Sequence, residues 1–72
     1  MRDEREPREW LSVLGMEGTP SRQQIIVAYR RLAAQHHPDR FHDAEEGVRS
    51  DAARRFIEIT RAYEALLAIY KE

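Results

Sequence analysis

The stretch Ile25-Ile26-Val27-Ala28-Tyr29-Arg30-Arg31-Leu32-Ala33-Ala34-Gln35-His36-His37-Pro38-Asp39 decides the fold. Ile25, Tyr29, Leu32 and His36 recur at spacings of 4, 3 and 4, with Ala28 alongside, which places one apolar face on an α-helix. Ser21, followed three positions on by Gln24, has the spacing of a capping box, and Thr19-Pro20 offers a competing start. Pro38 disfavours the helical conformation at His37. The helix is therefore expected over about residues 21–36.

Working outward, residues 37–49 hold Pro38, Asp39, His42, Asp43 and Gly47 and read as a connecting loop. That is long for a link between two helices, and long loops in small domains tend to be functional or mobile. Beyond it, Ala52, Phe56, Ile59, Tyr63, Leu66 and Tyr70 are spaced 4, 3, 4, 3 and 4, a seam for pairing with another helix. This helix is expected over about 50–69, antiparallel to the preceding one. Upstream, Pro7 suits a first helical turn and Gly15 a left-handed helix end. A short helix over about 7–14, with Trp10, Leu11, Val13 and Leu14 as its apolar residues, is expected to lie across the hairpin. No strand alternation or internal repeat is evident, so the expected fold is all-α, with residues 1–72 as a single domain.

Composition narrows the function. Among 72 residues there is no cysteine, which excludes disulfides and thiolate zinc sites. Net charge is -1, but residues 21–40 carry Arg22, Arg30, Arg31 and Arg40 against Asp39 alone. A basic middle between acidic ends suggests an acidic partner surface. About 100° per residue turns Arg30, Arg31 and Gln23 away from the core face and leaves Arg22 at its flank. No segment is apolar enough to span a bilayer, and residues 1–9 lack the apolar core of a signal peptide. A monomer in the cytoplasm is expected, alone or within a larger parent protein.

The tripeptide His37-Pro38-Asp39 gains meaning from its context. Ala28-Tyr29-Arg30-Arg31-Leu32-Ala33 precedes it, and Phe56, Ile59 and Ala62-Tyr63-Glu64-Ala65-Leu66 follow it. The first helical stretch ends in Leu14-Gly15. From about Glu9 to Leu66 this ordered set resembles the J-domain of the DnaJ co-chaperone family. The resemblance implies a tip motif that engages a DnaK-type heat-shock ATPase and stimulates its ATP hydrolysis, with no chemistry in the domain itself and no cofactor. On that reading the partner-binding residues are His37, Pro38, Asp39, Arg30, Arg31, Arg40, Arg22 and Tyr29. Pro38 restrains the tip backbone and so lowers the entropy cost of docking. Asp39 can offer its carboxylate to a partner arginine or to backbone donors.

This sequence departs from the family pattern in places. The family commonly carries basic residues where Ile26 and Val27 stand, and often another at Gln35. Val27, Ala34 and Ile26 then make an outward apolar strip. His36 replaces a customary aromatic and is expected to be half-buried and hydrogen-bonded. The family's short fourth helix is expected to be missing or reduced to residues 68–72.

Other readings fit less well. His36, His37, Asp39, His42 and Asp43 cluster two metal-ligand types, but adjacent histidines at a helix end diverge, so no metal is expected. No serine or cysteine nucleophile accompanies Asp39 and His37, so an enzyme is not expected. Negative net charge and the lack of stacking aromatics on the basic face argue against nucleic acid. The alternative is a J-like interaction scaffold with weak or absent ATPase stimulation.

Overall fold

The computed structural model describes residues 5–70. Its elements are α1 (Pro7–Val13), α2 (Arg22–His36), a 3-10 turn η1 (Pro38–Phe41) and α3 (Glu46–Ile69). Among the described residues there is no strand. α2 and α3 form the hairpin, and α1 packs on α3.

Each helix end has a local cause. α1 starts with Pro7 in its first turn and a capping box between Glu6 and Glu9. It ends where the Gly15 amide donates to the Ser12 carbonyl and the Met16 amide to the Leu11 carbonyl, at 2.9 and 2.8 Å. That pair of bonds requires the left-handed backbone that Gly15 supplies at φ 72°. At the start of α2, Ser21 wins over Thr19. The Gln24 amide donates to Ser21 Oγ at 3.1 Å, and the Ser21 amide donates to Gln24 Oε1 at 2.8 Å. Two otherwise orphaned donors are satisfied reciprocally. α2 stops at His37, whose ψ of 134° is the extended value expected before proline.

α3 begins at Glu46, earlier than the expected start near residue 50. Gly47 was the misleading residue, because it reads as a loop signal but stands here in the first helical turn. Glu45 is the N-cap without a side-chain cap bond, and Glu46 is acidic in the first turn, where the helix dipole favours negative charge. The expected loop of 37–49 is thereby shortened and partly filled by η1. At the other end, Ala68 and Ile69 continue α3, while residues 71 and 72 lie outside the described residues.

The core is one cluster of Trp10, Leu11, Leu14, Ile25, Ile59, Ala62 and Leu66. Ile25, Ile59 and Leu66 are fully buried. Burial on α3 is displaced from the expected seam, since Ala62 is enclosed while Phe56, Tyr63 and Tyr70 are half-buried. α3 is covered on two sides, by α2 and by α1, and small Ala62 lets the chain above it approach. On α2 only Ile25 is fully buried; Ala28, Tyr29 and Leu32 are half-buried. Outside the core, the Arg5 guanidinium lies 4.7 Å over the Trp10 ring, a cation–π contact at the start of α1.

Candidate functional site

The hairpin tip is built from the residues that end α2. Pro38 enters η1 in its first turn, and His37 caps that turn. The Asp39 amide donates to His37 Nδ1 at 3.2 Å. An amide aimed at Nδ1 needs a lone pair there, so the ring proton sits on Nε2. The Arg40 amide then donates to the His37 carbonyl at 3.0 Å, and the Ala44 amide to the Phe41 carbonyl at 3.0 Å. These bonds close the bend in two steps. Aspartate is a commoner capping residue than histidine. In the structure the cap is the imidazole, and Asp39 is left over.

The freed carboxylate is the tip's distinguishing feature. The Asp39 side chain is 93% exposed, and its Oδ2 lies 3.8 Å from His37 Nδ1, beyond hydrogen-bond length. His37, Pro38 and Arg40 are exposed as well. His37 is steadied from behind by Phe56 of α3, edge-on at 5.4 Å between ring centroids. Periodicity marked Phe56 as a seam residue but carried no sign of this contact, which depends on how far α3 runs past the tip.

The remaining candidates divide in two. Arg30 and Arg31 are exposed, and neither makes an ion pair or hydrogen bond among the described residues. Arg8 pairs with Glu6, Arg54 with Asp51 and Arg55 with Glu58, while Arg49 and Arg61 of α3 are as unpaired as Arg30 and Arg31 among the described residues. Around Arg30 and Arg31 the helix itself offers no counter-charge, because α2 contains no Asp or Glu. Arg40 reaches back to α2, where its Nη1 meets the Ala34 carbonyl at 3.5 Å, one of the acceptors a helix end leaves open. Arg30, Arg31 and Arg40 thus lie within two turns of the tip.

Tyr29 and Arg22 are placed differently. Tyr29 stacks on Tyr63 with centroids 4.0 Å apart and planes 12° apart, and its hydroxyl lies 3.4 Å from Thr60 Oγ1. The ring is half-buried and joins α2 to α3. Arg22 is half-buried in the first turn of α2, about 22 Å along the helix from His37. The structure does not bring it to the tip. His36, expected to be hydrogen-bonded, is half-buried but forms no such bond among the described residues. It lines a small apolar cleft with Phe41, Val48 and Ala52. Among the described residues no His, Asp and Glu group is arranged to hold a metal ion, and no helix is long and apolar enough to cross a membrane.

A three-helix hairpin that displays His-Pro-Asp on a capped bend beside an acid-free helix defines a class of helical protein-interaction module. The family model for the DnaJ domain matches residues 9–71, and the chain belongs to that family of co-chaperone domains. It is 39% identical over 59 residues to the chaperone protein DnaJ of Fusobacterium nucleatum, covering 82% of this chain and 15% of that protein. It is 42% identical over 59 residues to the human DnaJ homolog subfamily C member 3, covering 82% of this chain and 11% of that protein. Against the chaperone protein DnaJ of an Exiguobacterium species the identity is 46%, covering 82% of this chain and 14% of that protein. The chain therefore spans only about a seventh or less of the relatives' length. No solved structure matches it.

Proposed function

We propose that this chain is a co-chaperone module that docks on a DnaK-type ATPase and accelerates its ATP hydrolysis. The observation that carries this reading is the Asp39 carboxylate, held outward on a restrained bend, 93% exposed and without a hydrogen bond of its own among the described residues. A group so placed suits capture by a guanidinium or by backbone amides of another protein. His37 and Pro38 set its position. Arg30, Arg31 and Arg40 supply the positive field that steers an acidic surface onto α2. Arg22 extends that field at the far end, and half-buried Tyr29 lies between them on the helix. The domain carries out no bond chemistry; it changes the partner's rate through contact.

The test is a single-turnover ATPase assay on a DnaK-type chaperone with and without this chain, alongside Asp39→Asn. Acceleration is expected with the native chain. A hydrogen bond to a charged group contributes about 2 kcal/mol, so Asp39→Asn should weaken docking roughly thirtyfold and remove the acceleration. Its helical signal and melting temperature should stay native, because Asp39 is exposed. Equal rates with and without the native chain would overturn the reading and leave the scaffold alternative.

A further inference from the structure

Two groups of Asp39 compete for one atom of His37. The Nδ1 lone pair of the neutral ring accepts the Asp39 amide at 3.2 Å, while the Asp39 carboxylate lies 3.8 Å from the same nitrogen. A proton on Nδ1 turns that acceptor into a donor, because both nitrogens of an imidazolium donate. The backbone amide then faces an N–H instead of a lone pair, and its bond is lost. The carboxylate gains a donor that it reaches by closing about 1 Å, since charge-assisted bonds run near 2.8 Å. Among the described residues no hydrogen bond holds that carboxylate elsewhere. The His37 side chain is 50% exposed, so water delivers the proton directly. Nothing else charged intervenes. From α3 the uncharged ring of Phe56 faces His37, and Asp51 and Arg55 are paired with Arg54 and Glu58. In η1, Arg40 is drawn to the Ala34 carbonyl, and beyond it His42 lies beside Asp43. On α2, His36 lines the cleft with Phe41, and the helix holds no Asp or Glu. Asp39 is the only carboxylate in ion-pairing range of His37 among the described residues.

We propose that the tip is a proton-operated switch, in which His37 presents the Asp39 carboxylate when neutral and withdraws it when protonated. Its consequence for docking rests on the reading above, but the rearrangement is a property of the chain alone. Imidazole is the side chain that ordinarily changes charge between about pH 5 and 8, where a carboxylate stays ionised. Acidification through that window removes the cap of η1 and pairs the two tip side chains with each other. A carboxylate so occupied no longer faces a guanidinium of the partner. His37 is here a positioning residue, acting through where Asp39 is held.

NMR of the full chain across about pH 5–8 tests the rearrangement without any partner. At the upper end the ring nitrogen shifts of His37 should report a bare Nδ1 and a protonated Nε2. As the ring takes up its proton, the Asp39 amide and carboxylate signals should move with the same midpoint, although the carboxylate does not itself titrate there. His36→Phe with His42→Gln leaves His37 as the sole imidazole and should keep this coupling. In His37→Asn, whose side chain accepts the amide without titrating, both signals should stay fixed. Docking on a DnaK-type chaperone with ATP is the second readout. One pH unit below the ring's midpoint about a tenth of the molecules keep the open tip, so affinity should fall about tenfold. His37→Asn should show a smaller fall, which measures the partner's own titration. A ring that protonates while both Asp39 signals stay still would overturn the switch, as would a neutral ring with its proton on Nδ1. Coupled signals with equal docking at both pH values would overturn the withdrawal of the carboxylate. Failure of the native chain to dock at either pH would overturn the co-chaperone reading, with the spectra alone still deciding the switch.

Discussion

The ring of His37 stands edge-on to that of Phe56, with centroids 5.4 Å apart and planes 70° apart. One residue closes α2 and the other belongs to α3, so the contact ties the tip to both arms of the hairpin. Edge-to-face pairs add about 1 kcal/mol beyond the area they bury. The ring so held keeps Nδ1 on the Asp39 amide. The exposed carboxylate thus depends on a chain of support that runs from α3 through an imidazole to one backbone amide.

That chain predicts a separation between local order and global stability. His37→Ala removes the cap of η1 and should speed amide exchange at Asp39 severalfold. His37 is half exposed, so unfolding free energy should fall by only about 1 kcal/mol or less. In His37→Asn a side-chain carbonyl can accept the same amide, and protection should return in part. Phe56→Leu keeps apolar volume but loses the ring edge, and should also speed exchange at Asp39. Unchanged exchange at Asp39 in His37→Ala, followed residue by residue by NMR, would show that the bend holds without its cap.

The Tyr29–Tyr63 stack makes a different prediction, because it acts on the hairpin as a whole. The contact between the Tyr29 hydroxyl and Thr60 is long at 3.4 Å, so Tyr29→Phe should cost no more than about 0.5 kcal/mol. Tyr29→Ala removes a half-buried ring and its stacking partner and should cost about 2–3 kcal/mol. Chemical denaturation of the two variants separates these contributions. A large loss in Tyr29→Phe would mean that the hydroxyl, not the ring, couples the helices.

These residues also mark how far the sequence could be read. The bounds of α2 were legible because each end has a residue with one strong physical preference, Ser21 with Gln24 at the start and Pro38 at the stop. The exposure of Arg30 and Arg31 followed from helical rotation alone. The imidazole cap was not legible, since a four-residue 3-10 turn leaves no periodicity and Asp39 is the commoner capping residue. Nor was the half-burial of Tyr63 and Phe56 in place of Ala62, because a seam read on one helix does not reveal that a third helix covers its flank. His36 is half-buried at the end of its face as its place in the pattern implied, but among the described residues it forms no hydrogen bond, which depends on side-chain placement that spacing does not give.

The early start of α3 gives a final prediction, drawn from two glycines that look alike in sequence. Gly47 lies in the first turn of α3 and Gly15 in the left-handed region at φ 72°, and a Cβ added at either meets nothing within 4 Å. Sterics with neighbours are therefore absent at both, and only backbone preference distinguishes them. Gly47→Ala should stabilise the chain by about 0.5–1 kcal/mol, because alanine restricts the unfolded chain and favours the helix. Gly15→Ala should destabilise it by about 1–2 kcal/mol, because alanine resists the left-handed backbone that closes α1. For a domain of this size each kcal/mol moves the melting temperature by roughly 4–8 °C, so the two variants should melt on opposite sides of the native chain. Were Gly47→Ala to melt below it, residue 47 would belong to a turn, and α3 would start nearer residue 50 as its periodicity suggests.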